Sequence, residues 1–143
     1  MLHIPHEFMK RGFNERSFTW EDFEEICREL GIKIVFSEFI EEGMYLIRRG
    51  YKVIALNSRL HGFLLLWVAF HELAHVLLHH PAMQHFARGT EDKIDAEANA
   101  IASAAIIPES SLRKIANNDF FEEFLYPPAL LRVRLYSLGT FHF

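Results

Sequence analysis

A chain of 143 residues suits one domain, which at this size buries roughly 70% of its unfolded surface and needs no disulfide staples. Fifteen basic against nineteen acidic residues leave a net charge of -4, so direct nucleic-acid binding is not expected. Half of the residues are hydrophobic, yet the longest unbroken apolar run, Phe63 to Phe70, is far shorter than the roughly 20 residues that cross a bilayer, and no membrane span is expected.

The lone cysteine, Cys27, cannot pair within the chain, and no secretion signal opens the sequence, so a cytoplasmic location is expected. Residues 1–17 mix charges and aromatics without a clear period and read as an arm laid over the surface, ahead of a domain over 18–143. His3 and His6 flank Pro5, which disfavours a helix joining them, and read as incidental. Thr19 followed by Asp22 marks a helix start, and Phe23, Ile26, Cys27 and Leu30 recur at helical spacing up to Gly31, a natural stop. Cys27 falls on the core face of that helix, as a packed thiol rather than a reactive one.

Ile32 to Phe36, Met44 to Arg48 and Tyr51 to Leu56 read as short strands, with Arg49-Gly50 a hairpin turn and Ser37 to Gly43 an acidic, turn-like link. They predict an α+β fold, mainly helical, with a small three-stranded, mostly antiparallel sheet. An edge of that sheet can accept an extended substrate as an added strand, although strands serve more often as plain scaffold.

Asn57 or Ser58 is placed to cap the next helix, Leu60 to about His79, which Pro81 keeps from extending. Its segment Phe63 to Phe70 is apolar on all sides and predicts a buried helix. The sequence HELAH, His71 to His75, follows directly. One turn apart, the two imidazoles share a face and can both reach a single metal ion, with the Glu72 carboxylate beside it, in reach of a bound water. This is the H-E-x-x-H pattern of metal-assisted hydrolysis. Two core histidines bonded to carbonyls would show the same spacing. Three ionisable groups in an apolar helix are costly to bury, however, unless a divalent ion compensates them together.

His79 shares the face of His75 but lies about 12 Å along the axis from His71, too far for all three to meet one ion. It reads, with His80 and His85, as a helix-end or loop residue, His79 lining the cleft. After a loop at Gln84 to Gly89, Thr90 or Asp92 starts an alanine-rich helix that runs to Ile107 and stops at Pro108. A catalytic zinc site takes three protein ligands and keeps one open position, so the third ligand is sought here. Asp95 and Glu97 are the candidates and point about 200° apart around the helix. Asp95 has Asn99 one turn on, an amide able to orient a ligand, whereas Glu97 has Ile101. Asp95 is preferred, with Glu97 as the alternative.

Beyond Pro108, Ser110 to Ala116 and Phe120 to Leu125 predict short helices. A last helix, Ala129 to Leu138, is opened by Pro127-Pro128 and ended by Gly139. The two helices around Tyr126 and Pro127 have the outline of a helix-turn-helix, but only Arg132 and Arg134 are basic there, so packing is expected over groove binding. Tyr45, Tyr126, Tyr136, His79 and His142 are candidate oxyanion donors, and packing is the commoner role for each.

Taken together, LGI at Leu30 to Ile32, ALN at Ala55 to Asn57, AFHELAHVLLHH at Ala69 to His80, DAEANAIASAAIIPE at Asp95 to Glu109 and ALLRVRLYSLG at Ala129 to Gly139 resemble the ImmA/IrrE family of bacterial and phage metallopeptidases. The resemblance runs from about Phe18 to Gly139. It implies a zincin-like domain in which zinc is held by His71, His75 and Asp95, with Glu72 as general base. It also implies a protein substrate, a helix-turn-helix repressor cut to switch on a stress response or a mobile element. The family position held here by Asp95 is normally Glu, so this chain's carboxylate reaches one methylene less far. The alternatives are a metal-stabilised module that binds a repressor or a toxin-antitoxin partner without cutting it, and a zinc hydrolase of a small molecule. The oligomeric state is not legible in the sequence.

Overall fold

The computed structural model describes residues 2–38, 40–80, 90–138 and 141–142. The chain opens with β1 (Leu2–His3) and a single helical turn, α1 (His6–Met9), before helix α2 (Trp20–Leu30). Local chemistry sets both ends of α2. The Asp22 N–H donates to Thr19 Oγ1 at 3.3 Å and the Thr19 N–H donates back to Asp22 Oδ2 at 2.7 Å, which satisfies two otherwise orphaned donors. Gly31 closes the helix at φ 69°, a left-handed conformation that costs glycine little. Phe23, Ile26 and Cys27 form its buried face, and burial pushes the Cys27 thiol up to about 12, so it stays protonated.

The stretch ahead of α2, expected to lie over the surface, enters the core. Phe8 and Phe13 are buried, and their rings stack with centroids 5.7 Å apart. Phe18 and Phe70 meet Phe8 edge-on at 5.6 and 5.9 Å. Large rings anchor a segment that has no secondary-structure period, which is why periodicity does not reveal it.

The sheet is built from β2 (Ile32–Ser37), β3 (Gly43–Arg48) and β4 (Tyr51–Asn57), in the order β2-β4-β3. β3 and β4 form the expected hairpin, antiparallel from Gly43 opposite Leu56 to Arg48 opposite Tyr51. Arg49 and Gly50 take φ 50° and 84°, as the tight turn requires. β2 pairs with β4 in parallel, Ile32 opposite Lys52 through Ser37 opposite Asn57. The pairing is therefore mixed where mostly antiparallel strands were expected. The cause is the crossing past the end of β4, where the Asn57 amide nitrogen donates to the carbonyls of Ile40 (2.5 Å) and Glu41 (3.2 Å). The Asn57 backbone N–H donates to Glu42 at 2.7 Å. This seats β3 on the far side of β4 and leaves it as an edge strand. Asn57 is thereby not the helix cap expected of it: α3 (Gly62–Leu77) begins behind His61 with no side-chain cap.

α3 lies against α4 (Thr90–Ile106), whose Ala98, Ala102 and Ala105 are fully buried and let the two backbones come close. Phe63 and Leu64, in the first turn of α3, are 38% and 45% exposed, and full burial begins only at Val68, so the apolar run is not buried throughout as expected. α5 (Glu109–Ala116), α6 (Phe120–Phe124) and α7 (Pro128–Tyr136) complete the helices, and β5 (Phe141–His142) pairs with β1 in parallel. Arg134 of α7 is buried and donates to the Ile107 carbonyl and to Asn14 Oδ1, both at 2.8 Å, so it serves packing. The expected loop at 84–89, His85 and the stop at Gly139 lie outside the described residues. Among the described residues no helix is long and apolar enough to cross a membrane.

Asp22 links the N-terminal segment to α2, because Arg16 also grips its carboxylate through two guanidinium nitrogens at 2.7 and 2.9 Å. That contact, opposed in part by burial and assisted by Thr19, holds the Asp22 carboxyl below the usual carboxylate range. A depressed native value means the contribution is complete above the unfolded value and is lost as pH falls through the native one. Asp22→Asn is expected to cost about 1–2 kcal/mol at pH 7. Urea denaturation should show the variant and the wild type converging in acid; a gap that persists there refutes the assignment.

Candidate metal centre

His71 and His75 sit one turn apart on α3, with Nε2 atoms 3.1 Å apart and ring planes at 84°. Asp95, from the second turn of α4, places Oδ1 3.1 Å from His75 Nε2 and 3.5 Å from His71 Nε2. One ligand atom from each of the three lies within 4.8 Å of the others. Tetrahedral ligands about 2.1 Å from a zinc ion lie about 3.4 Å from one another, which these spacings match. The His75 side chain is 4% exposed and that of Asp95 45%, so the cluster has a buried back and an open front.

Each imidazole is oriented from behind. His71 Nδ1 lies 2.8 Å from Asn99 Oδ1, an oxygen that also accepts from the Trp67 indole at 3.3 Å. A carbonyl oxygen only accepts, so His71 carries its hydrogen on Nδ1 and turns the lone pair of Nε2 toward the cluster. His75 Nδ1 lies 2.9 Å from His80 Nδ1, and the Tyr45 ring stacks on His75 at 5.1 Å and 19°. Burial first, then His71 and His80, push His75 down to about 3, leaving at neutral pH the uncharged imidazole that binds metals.

Glu97, the alternative third ligand, is not part of the cluster: its Oε2 lies 3.5 Å from His80 Nε2. His80 is the residue sequence reasoning passes over. Nothing in its local pattern sets it apart from a helix-end histidine, and only the turn after α3 brings its ring back. His79, expected to line the cleft, occupies the left-handed position of that turn at φ 58° and lines neither cavity at the cluster. Of the candidate oxyanion donors, Tyr45 donates to the His80 carbonyl at 3.1 Å, and the Tyr126 hydroxyl lies 2.9 Å from Ser111 Oγ. Tyr136 is exposed and lines a different cavity, and the His142 side chain lies outside the described residues.

Glu72 is buried between α3 and the β3 edge. Burial, then the charges of Asp95 and Glu42, raise its carboxyl to about 7, a value suited to exchanging protons near neutrality. A cavity of about 300 Å³ lies on one side, lined by Leu64, Trp67 and Val68 together with His71, Glu72 and Asp95. A second cavity follows β3 from Gly43 to Leu46 past the same ionisable groups. Gly43 lines both, and its lack of a side chain lets β3 lie close on α3. A Cβ there would fall 2.6 Å from Val68 Cγ1 and 3.1 Å from Glu72 Cγ.

Compared with known proteins, the chain matches the family model described as the IrrE N-terminal-like domain, peptidase family M78, over residues 27–133. No curated protein and no solved structure matches it. The matched stretch runs from within α2 to α7 and includes every residue of the cluster.

Gly43→Ala should push β3 off α3 and cost about 1–3 kcal/mol by overpacking. Adding Val68→Ala should return part of that loss. Thermal melts of the single and double variants check this, and a Gly43→Ala protein as stable as wild type would show that the strand has room to spare.

Proposed function

Since the chain belongs to the IrrE-like family of metallopeptidases, we propose that it is a zinc-dependent endopeptidase of narrow specificity acting in the cytoplasm. What supports this reading above all is the convergence of His71, His75 and Asp95 from two helices beside the buried Glu72. Zinc held by those three side chains would supply Lewis acidity toward a scissile carbonyl and toward water. Glu72 takes the proton of the attacking water and returns it to the leaving nitrogen. Asn99 keeps the His71 lone pair aimed at the cluster. The edge of β3 offers backbone groups to an extended substrate strand, which Gly43 brings over Glu72.

The substrate, on this reading, is a helix-turn-helix repressor whose cutting switches a stress response or a mobile element. Glu41 and Glu42 line the groove along β3, and among the described residues no Lys or Arg does so, which suits a basic segment such as a DNA-binding protein carries.

The test is a comparison of new protein amino termini generated in a cell extract by the zinc-loaded wild type and by Glu72→Gln. The wild type should produce a small set of cuts, and Glu72→Gln should lower their rate by about 10²–10⁴-fold. Elemental analysis should find zinc retained in Glu72→Gln and lost from Asp95→Ala. If Glu72→Gln inactivates its partner as well as wild type does, the chain is the non-catalytic binding module instead.

A further inference from the structure

A second set of contacts lies behind His75 and takes no part in the mechanism above. α3 ends at Leu77, and the chain then closes a helix-end turn with two reversed hydrogen bonds. The His79 N–H donates to Val76 at 3.1 Å and the His80 N–H to His75 at 3.0 Å, with His79 left-handed between them at φ 58°. Glycine is the usual residue at that position, and a histidine there carries backbone strain. The turn swings the ring of His80 back beside the ring of His75, with centroids 5.1 Å apart and Nδ1 facing Nδ1 at 2.9 Å. Two contacts keep it there: the Tyr45 hydroxyl donates to the His80 carbonyl at 3.1 Å, and Glu97 Oε2 faces His80 Nε2 at 3.5 Å. The His80 side chain is only 10% exposed.

Two imidazole nitrogens 2.9 Å apart share one hydrogen, since two bare lone pairs or two N–H groups would repel. Glu97 decides which ring owns it. A carboxylate favours an N–H at His80 Nε2, so a neutral His80 presents a bare Nδ1, and His75 Nδ1 is the donor. The bond to His80 leaves the His75 Nε2 lone pair free for a cation, against Asp95 Oδ1 and His71 Nε2, each 3.1 Å away, which draw the hydrogen to Nε2 when no cation lies between them.

We propose that His80 and Glu97 are a positioning pair that locks His75 in the tautomer able to bind a metal through Nε2. They do for the second histidine what Asn99 does for the first. The pair acts only through His75 and touches neither substrate nor metal. The proposal rests on the metal reading of the cluster, and it assigns Glu97 a role other than ligation.

The test uses the full chain, zinc-loaded and after chelation. Long-range proton–nitrogen spectra report the tautomer of His75, and competition with a chelator reports zinc affinity. After chelation, the share of His75 that carries its hydrogen on Nδ1 should be larger in the wild type than in His80→Ala. In His80→Ala zinc affinity should also fall by about 10–100-fold. His80→Asn, whose amide oxygen can accept the same hydrogen, should restore most of both. Glu97→Ala should shift the tautomer in the same direction and serves as the second variant if His80→Ala does not fold. An unchanged His75 tautomer with unchanged zinc affinity in His80→Ala overturns the proposal. A wild type that takes up no zinc defeats the metal reading instead, and the tautomer measurement then still decides the positioning pair.

Discussion

The close approach of α3 and α4 is the constraint on which the candidate centre depends. Side-chain size at the contact sets the distance between packed helices. Here α4 offers Ala98, Ala102 and Ala105, all fully buried, on its contact side. The third group of the cluster is an aspartate, one methylene shorter than glutamate, and it still brings an oxygen within 3.1 Å of His75 Nε2. A short acid on a helix held off by larger side chains would stop short. The alanine-rich composition of α4 and the short acid at position 95 are thus two halves of one geometric solution.

Electrostatics imposes the next layer. Helix α3 is apolar enough that each polar group in it needs a partner, since an unpaired buried polar group costs more than a hydrogen bond returns. His71 finds Asn99, His75 finds His80, and His80 finds Glu97. These partners use the Nδ1 side of both α3 histidines and leave the Nε2 sides pointing at each other and at Asp95. Among the described residues Glu72 has no such partner, and burial first, then the charges of Asp95 and Glu42, raise its carboxyl. Three neighbours in one helix thereby acquire different characters from their surroundings alone.

The sheet contributes an edge and a wall. With β4 in the centre, β3 is left open along the cluster, and Gly43 lets it come down on Val68 and Glu72. The N-terminal phenylalanines brace the opposite side of α3 through Phe70, one residue before His71. Rigid packing on that side keeps the two histidines in fixed register.

Much of this was legible in the order of residues, wherever a short-range rule operates. Thr19 with Asp22 and Gly31 marks the ends of α2, Arg49-Gly50 marks the hairpin, and four-residue spacings put His71 over His75 and Asp95 in line with Asn99. Other features needed the folded chain. Periodicity says which residues share a face of a helix, but not which face meets which neighbour. The place of Glu97 beside His80, the return of His80 and the parallel seating of β2 were therefore decided by tertiary packing. Asn57 shows the limit most plainly: its amide oxygen can cap a helix and its amide nitrogen can tie down a crossing loop, and only the position of residues 40–42 brings the second role into play.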